Sequence, residues 1–206
     1  FLFLKRLPPM DTVSGPAFSP RSAALAVGAF LLEVVQIVIV AAAIVLPVRY
    51  FLIQPFNVKG ASMEPNFHND EYLIIDELSY RFREPLRGEV IVFRPPLDPG
   101  EYYIKRVIGL PGETVEITDG HVYVSNADHP NRVELKESYL DDLSTQGKKK
   151  VTLAADEYMV LGDNRDESLD SRSFGPIKRP SIVGRAWIRG LPISRAGLFE
   201  APSYGL

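Results

Sequence analysis

A serine in the stretch Lys59–Pro65 (KGASMEP) has surroundings that suggest chemistry. Ser62 lies between an alanine and a methionine, a few residues after a long apolar segment, so its hydroxyl can be both exposed and positioned. A hydroxyl is a weak nucleophile near neutral pH, because its pKa lies far above 7, and it needs a general base to accept its proton. The stretch therefore predicts a nucleophilic serine, provided that the chain supplies such a base.

Histidine is a common base, but the three histidines have no neighbours typical of catalysis. His68 lies in a polar loop, His121 follows a predicted turn, and His129 precedes Pro130. None belongs to an HExxH metal motif or to a triad-like arrangement, so we interpret all three as surface residues. The chain has no cysteine, which excludes cysteine nucleophiles, thiolate metal sites and disulfides.

A lysine can serve as the base instead, if burial lowers the pKa of its amine toward neutrality. Lys105 lies inside the apolar run Tyr103–Gly112 (YIKRVIGLPG). Alternate side chains of a strand point to opposite faces, so Lys105 and Arg106 are expected on opposite faces, one directed inward and the other outward. Taken alone, the run favours two surface cations whose aliphatic stems cover apolar surface.

A third candidate region is the charged block Gly162–Gly175 (GDNRDESLDSRSFG), which directly follows an apolar run. Acidic and basic residues alternate in it at close spacing, with a glycine at each end. It fits a solvated loop held by Asp–Arg pairs, and it equally fits a rigid loop that carries a functional site. The block alone leaves both interpretations open.

The most apolar part of the chain, Ala23–Val48, precedes Ser62. A bilayer core of about 30 Å requires about 20 largely apolar residues in a helix. Two spans meet this requirement, Ala23–Val48 and Val34–Ile53. We favour the second, because it places Glu33 at an interface instead of in the hydrocarbon. A signal peptide is less consistent with the pattern, since no small-residue cleavage site follows.

The chain is predicted to have three segments. Residues 1–25 form a tail, 26–53 form the membrane anchor with its core at about 34–53, and 54–206 form a folded domain. Basic residues are slightly more numerous before the apolar segment than after it. The positive-inside tendency therefore places the tail in the cytoplasm and the folded domain on the extracytoplasmic side.

After the anchor, the chain changes to short β-like runs, each bounded by Gly, Pro or Asp. Asp119-Gly120, between two such runs, predicts a type I′ hairpin turn. The fold class is mainly β, an antiparallel β-sheet domain with one N-terminal transmembrane helix. The polar segment Ser125–Lys150 is interpreted as a surface excursion that ends in a solvated lysine run. The predicted strands are 72–76, 89–93, 102–108, 114–118, 121–124, 151–153, 157–161 and 182–188.

Together, these segments resemble the type I signal peptidase family, membrane-bound Ser–Lys leader peptidases of the single-anchor bacterial type. The resemblance runs from about Glu33 to Ile188. The last two matching motifs are long and specific, whereas Ser-Met-x-Pro alone would be a weak signal. The matching segments, in order, are Gln54–Phe56 (QPF), Gly60–Pro65 (GASMEP), Asp70–Ile75 (DEYLII), Lys105–Glu113 (KRVIGLPGE) and Gly162–Arg172 (GDNRDESLDSR).

The resemblance implies a role for each matching residue. Ser62 matches the nucleophile, whose backbone N–H is an oxyanion donor, and Lys105 matches the general base. Ser168 matches a serine that orients the lysine amine. The residues that match structural supports of the site are Met63, which packs beneath it, and the ion-pairing residues Asp163, Arg165, Asp170 and Arg172.

Two positions differ from the family pattern. Gly60 stands where some members have a serine that donates to the oxyanion, so a backbone N–H or a water would have to supply the second donor. Asn66 stands where a threonine is common, a change expected to affect packing more than chemistry.

The resemblance implies a membrane-anchored serine endopeptidase that removes N-terminal signal peptides from secretory preproteins, through an acyl-enzyme intermediate. Cleavage is expected after small-x-small sites such as Ala-x-Ala, in pockets lined by residues around Phe56, Ile74 and Val107. The implied partners are preproteins and membrane lipid, and the implied location is the plasma membrane, crossed once. No cofactor, metal or nucleic acid is expected, since the net charge is −3 and no metal motif is present.

Two other functions fit part of the pattern. Self-cleaving repressors also use a Ser–Lys pair, but they carry a DNA-binding domain, and none is predicted before Ala23. A catalytically inactive, membrane-tethered β interaction module would bind partners through the charged block at 162–175. Such a module would be expected to lose Ser62 or Lys105, and both are present.

Overall fold

A computed structural model describes residues 20–51, 53–140 and 144–204 of the chain. Contacts between residues divide it into two units, Phe1–Leu46 and Pro47–Leu206. The predicted tail over 1–25 lies largely outside the described residues. Its last part, residues 20–25, belongs to a helix instead, because the helical segment begins before the apolar run.

The apolar segment forms one long helix, α1, over Pro20–Phe51. Within it, Leu25–Leu46 has a mean hydropathy of 2.7 and no buried part, so it is a candidate membrane span by length and composition. This span includes Glu33, which the preferred prediction had placed at an interface. The predicted anchor ended at Ile53, but this residue pairs with Asp76 in the first two strands of the second unit.

The second unit consists of short strands that pair antiparallel throughout the described residues, as predicted. The described residues of this unit also form one α-helix, α2 over Ser171–Phe174, and three short 3₁₀ helices at Ser79–Arg81, Arg179–Ser181 and Ile193–Arg195. The strands are β1 Ile53–Asn57, β2 Tyr72–Asp76, β3 Val90–Phe93, β4 Tyr103–Gly109, β5 Thr114–Thr118, β6 His121–Ser125, β7 Val133–Glu134, β8 Lys149–Thr152, β9 Glu157–Leu161, β10 Ile177–Lys178, β11 Ile182–Leu191 and β12 Gly197–Leu198.

Two sheets contain these strands. The larger has eight strands in the order β1-β2-β11-β3-β4-β9-β10, with β12 paired to β11, and the smaller has the order β7-β6-β5-β8. The β5–β6 connection is the predicted hairpin. Asp119 and Gly120 have φ values of 52° and 85°, both positive as a type I′ turn requires.

The two sheets differ in how they are covered. All four residues of β3 are buried, and Lys105–Gly109 of β4 are buried as a continuous run. In β5 and β6, buried residues alternate with more exposed ones. A continuous buried run indicates cover on both faces of a sheet, whereas alternation indicates one solvated face. The favoured interpretation of Lys105 and Arg106 as two surface cations was therefore wrong, and so was the alternative that one of them points outward, because both are buried and both faces of β4 are covered.

The core consists of apolar clusters on both faces of the larger sheet. The first joins β4 and β9 to the smaller sheet and contains Ile108, Val115, Ile117, Val122, Val124, Leu135, Leu153, Met159 and Leu161. The second lies beside the turn that carries Ser62 and contains Val58, Met63, Phe67, Leu73, Ile75, Val90, Val92 and Ala186. The third contains Tyr80, Ile91, Phe93, Val107, Tyr158, Val160, Ile177 and Ile182.

Candidate active site

Ser62 lies in the turn between β1 and β2. The Asp70 N–H donates to the Val58 carbonyl at 2.9 Å, which closes the base of the turn. Within it, the Phe67 N–H donates to the Met63 carbonyl at 2.9 Å. Met63 is 1% exposed and packs with Phe67 in the second apolar cluster. The buried methionine therefore anchors the turn that carries Ser62.

Lys105 of β4 lies beside Ser62, although 43 positions separate the two residues in the chain. The distance between Lys105 Nζ and Ser62 Oγ is 2.6 Å, and the amine also donates to the Ile104 carbonyl at 2.9 Å. At this separation, the serine hydroxyl can donate its proton to the lone pair of a neutral amine. The structure thus brings together the two residues singled out from the sequence.

Because Lys105 is buried, its neutral form is populated near physiological pH. The residue is only 3% exposed, and desolvation lowers its pKa from the ordinary 10.5 to about 8. The negative charges of Asp170 and Asp163 oppose this shift, because they stabilise the ammonium form. The amine is therefore about half deprotonated at a pH near 8.

Arg106 points to the other face of β4 and pairs with Asp163, which is fully buried. Its Nε and Nη2 donate to the two carboxylate oxygens at 2.8 and 2.6 Å. Asn66 Nδ2 donates to the same carboxylate at 2.9 Å, and the guanidinium lies 4.0 Å from the centroid of the Tyr139 ring. Asn66 therefore ties the turn of the serine to Asp163, a contact that the sequence did not indicate.

Asp170 precedes α2 and accepts hydrogen bonds from Arg172 Nε at 2.9 Å and from the Gly162 N–H at 3.1 Å. Burial alone would raise the pKa of its carboxyl, but these donors outweigh burial and lower the pKa. Ser168 Oγ is buried and makes no hydrogen bond with a described residue, the Lys105 amine included. It lies near enough to Asp170 to help lower that pKa.

Gly162 is the point where the charged block meets the turn of the serine. A Cβ at this position would overlap Ser168 Oγ and the backbone oxygen of Ser62. Only a residue without a side chain allows this approach. The glycine therefore sets the distance between the two segments that carry the site.

Arg165 is 2% exposed and has its partner in the segment predicted as a surface excursion. Its guanidinium makes two parallel hydrogen bonds with Glu137, at 2.8 and 2.6 Å, and its Nε donates to the Gly162 carbonyl at 2.9 Å. The predicted ion pairing of Arg165 is present, but sequence reasoning missed Glu137. An isolated acidic residue in a polar segment gives no signal for such a distant pair.

Lys149 corrects the interpretation of the lysine run as a solvated face. Its Nζ donates to the carbonyls of Ser171 and Arg172, at 3.0 and 2.7 Å. The lysine thereby binds two carbonyls of α2, the short helix at the end of the charged block. The segment 125–150 is also not purely superficial, since Leu135 and Leu140 are buried.

Comparison with known proteins assigns the family. The model of the family described as "Signal peptidase, peptidase S26" matches residues 31–190. A signal peptidase I from Leptolyngbya laminosa is 36% identical over 84% of this chain and 87% of its own. A probable signal peptidase I-2 from Synechocystis is 36% identical over 81% of this chain and 76% of its own. The chain belongs to the S26 signal peptidase family.

Two further proteins named as signal peptidases are similar to this chain. Signal peptidase IB of Staphylococcus aureus is 34% identical over 80% of this chain and 91% of its own. The crystal structure of a signal peptidase I from Enterococcus faecalis, 34% identical, covers 50% of this chain and 97% of its own, with a TM-score of 0.43. As a signal peptidase I homologue, the protein is a serine peptidase.

In this signal peptidase family member, Ser62 and Lys105 line a cleft of about 540 Å³. The lining was predicted around three positions, of which Phe56 itself lines the cleft. Ile74 does not line the cleft, but its neighbour Leu73, which points to the opposite face of β2, does. Val107 lies in the third core cluster. The full lining is Phe56–Ser62, Leu73, Val92, Glu101–Lys105, Glu167 and Leu169.

The backbone around Ser62 determines which groups can donate to an oxyanion. The Ser62 N–H has no acceptor among the residues that the structure describes. The Gly60 N–H donates to Asn69 Oδ1 at 3.0 Å and is thus already engaged. No group of three potential metal ligands occurs in the described part of the chain.

Proposed function

We propose that the protein is a membrane-anchored serine endopeptidase that removes N-terminal signal peptides from secretory preproteins by a Ser–Lys mechanism. The observation that carries this proposal is the 2.6 Å separation between Ser62 Oγ and the amine of a buried Lys105. A serine needs a base within hydrogen-bond reach, and a lysine can be that base near neutral pH only when its pKa is lowered.

In acylation, neutral Lys105 Nζ accepts the Ser62 hydroxyl proton while Ser62 Oγ attacks the scissile carbonyl carbon. The tetrahedral intermediate collapses, its C–N bond breaks, and the Lys105 ammonium donates the proton to the leaving amine. Water then attacks the acyl-enzyme as Lys105 accepts a proton from it, and this proton returns to Ser62 Oγ when the ester bond breaks. The Ser62 N–H is the proposed donor to the oxyanion in both steps.

The remaining site residues are proposed to hold this pair in place. Ser168 is proposed to orient the Lys105 amine, since its buried Oγ lies against Gly162, beside the backbone of Ser62. The residues proposed as structural supports are Met63 beneath the serine, Asp163 with its Arg106 partner, Arg165 with Glu137, and the pair Asp170 and Arg172.

The proposed cleavage site follows a small-x-small sequence such as Ala-x-Ala. Apolar side chains of the cleft, including Phe56, Leu73 and Ile104, would contact the small residues of an extended substrate. Cleavage after a larger residue should be slow, because such a side chain would have to displace these walls.

The candidate span Leu25–Leu46 supports a membrane anchor. In the proposed arrangement, α1 crosses the plasma membrane once, contacts lipid, and leaves the β unit on the extracytoplasmic side. This location suits the substrate, since a signal peptide is itself an apolar segment in the bilayer.

The proposal is tested by preprotein cleavage with purified full-length protein in detergent. We expect Ser62→Ala to abolish release of the signal peptide, because no other group replaces the nucleophile. Ser125→Ala, a change of the same kind in β6, is the matched control and should leave the rate within about twofold. Near-normal turnover by Ser62→Ala would show that Ser62 is not the nucleophile.

A second measurement addresses the absence of metal from this mechanism. Because Lys105 provides the base, cleavage is expected to proceed at the same rate with and without EDTA. Loss of activity on chelation, with recovery on adding Zn²⁺ or Mg²⁺, would point to a metal-assisted reaction instead.

A further inference from the structure

The peptide group that links Ala61 to Ser62 is held from one side by two donors. The Ala61 carbonyl accepts hydrogen bonds from the Glu64 N–H at 3.0 Å and from Asn164 Nδ2 at 3.2 Å. A carbonyl oxygen has two lone pairs, so both are engaged. Asn164 belongs to the charged block, yet it had no role in the sequence prediction.

Fixing this carbonyl also fixes the direction of the Ser62 N–H. Among the described residues, the only peptide bonds in cis precede Pro65 and Pro192, so the Ala61–Ser62 bond is trans. In a planar trans peptide, C=O and N–H point in opposite directions. The Ser62 N–H is therefore directed away from Asn164, and it has no acceptor among the described residues of the chain.

Asn164 is itself held in place by hydrogen bonds of its backbone and its side chain. Its backbone N–H donates to the Ser62 carbonyl at 3.1 Å, and its Oδ1 accepts from the Glu167 N–H at 3.3 Å. It lies between Asp163, which is fully buried and paired with Arg106, and Arg165, which is paired with Glu137. The side chain of Asn164 thus donates to the Ala61 carbonyl, which precedes the Ser62 N–H in the backbone, and its N–H donates to the Ser62 carbonyl, which follows it.

We propose that Asn164 is a positioning residue that aims the Ser62 N–H at the developing oxyanion, an inference that rests on the proposed function. The direction of the Ser62 N–H matters because the Gly60 N–H is engaged by Asn69 and Gly60 has no side-chain donor, whereas the N–H of the nucleophile itself has no acceptor in the described structure. Asn164 acts through the Ala61 carbonyl and contacts no reacting atom.

The first test is the kinetics of preprotein cleavage by Asn164→Ala and Asn164→Asp. Alanine removes the donor, and aspartate keeps the size but presents a negative charge to the Ala61 carbonyl. Loss of a whole oxyanion donor costs about 10²–10³ in kcat, so loss of its orientation should lower kcat by about tenfold or more with little change in KM. The neighbouring Asp166→Asn, at an exposed position, is the control and should retain the wild-type kcat.

The second test separates orientation of the oxyanion donor from a general structural role. A peptide aldehyde of signal-peptide sequence forms a tetrahedral adduct with a serine and thus places an oxygen at the oxyanion position. We expect the Asn164 variants to bind it at least about tenfold more weakly, while KM for the preprotein stays within about twofold. The pH midpoint of kcat/KM should not move, because Lys105 is not affected.

Three results would overturn the inference: an unchanged kcat, a rise in KM alone, or a shift of the pH midpoint that assigns the effect to Lys105. If Asn164→Ala does not fold, judged by thermal unfolding beside wild type, Asn164→Asp decides by the same criteria. If neither variant folds, Asn164 is a structural residue and the inference fails. Failure of the proposed function is recognised separately, since Ser62→Ala would then remain active.

Discussion

Two lysines in strands, one in each sheet, have opposite surroundings. Lys105 in the eight-stranded sheet is 3% exposed, and burial lowers the pKa of its amine to about 8. Lys150 in the four-stranded sheet has a side chain that is 68% exposed and pairs with Glu116 at 3.1 Å. The same residue type can thus be a poised base or a solvated cation, and cover on both faces of the strand decides which.

Ion pairs differ between the two regions in the same way. Arg165 of the charged block forms a buried pair with Glu137. Arg132 and Glu116 form a pair on the open face of the four-stranded sheet instead. A buried pair holds its geometry because each charge would be costly alone, while an exposed pair contributes little. The site is therefore located where charges are buried and mutually fixed.

The largest expected effect distinguishes the two lysines. Lys105→Met should lower kcat/KM for preprotein cleavage by about 10³-fold or more, because a thioether cannot accept the serine proton. Lys150→Met makes the same substitution at an exposed position of a strand and should change the rate by less than about twofold. Equal losses in the two variants would contradict the difference in their roles.

The second comparison concerns the stability of the two arginine pairs. Arg165→Ala should reduce the free energy of unfolding by about 3–5 kcal/mol, because Glu137 is left buried without a counter-charge. Arg132→Ala should cost about 1 kcal/mol or less, since both of its charges are accessible to water. Denaturant unfolding of the full chain in detergent measures both, and similar losses would show that burial does not separate the pairs.

The third expectation is the pH dependence of cleavage. The base must be neutral, so kcat/KM should fall about tenfold per pH unit below the Lys105 pKa of about 8 and level off above it. Initial rates with one preprotein between about pH 6 and 10 would locate the midpoint. A rate that still rises tenfold per unit at pH 10 would place the midpoint near the ordinary lysine pKa of 10.5 and would mean that the amine is hydrated during catalysis.

The smallest expected effect is a shift of that midpoint in Asp163→Asn. The Asp163 charge raises the Lys105 pKa, so its removal, which also leaves the Arg106 cation unpaired, should move the midpoint to lower pH by about one unit or less. Glu116→Gln removes a carboxylate from the four-stranded sheet and should leave the midpoint in place. An upward shift in Asp163→Asn would reverse the electrostatic explanation.

Features that depend on neighbouring residues could be predicted from the sequence. The strands over 72–76, 114–118 and 157–161 have the predicted bounds, because alternating or continuous apolar runs end at local turn signals. The turn at Asp119-Gly120 follows for the same reason, since its backbone needs residues that tolerate positive φ. Ser62 and Lys105 could be selected because each lies in a long motif of a known family.

Features that depend on which elements pack together could not be predicted. Glu137 and Lys149 looked like members of a polar excursion, yet each contacts the charged block across more than twenty positions of the chain. The burial of Arg106 depends on Asp163, Asn66 and Tyr139, which come from three other segments. Nothing in the residues next to Arg106 indicates them.

Local pattern and motif are enough to predict the apolar helix, the mainly antiparallel β class, and the candidate residues Ser62 and Lys105. The position of Lys105 Nζ, 2.6 Å from Ser62 Oγ and out of water, depends instead on how distant segments pack together. Lys150, in the smaller sheet, has a largely exposed side chain instead. The physical reason is that a side chain's pKa depends on everything packed around it, and those neighbours come from distant parts of the chain.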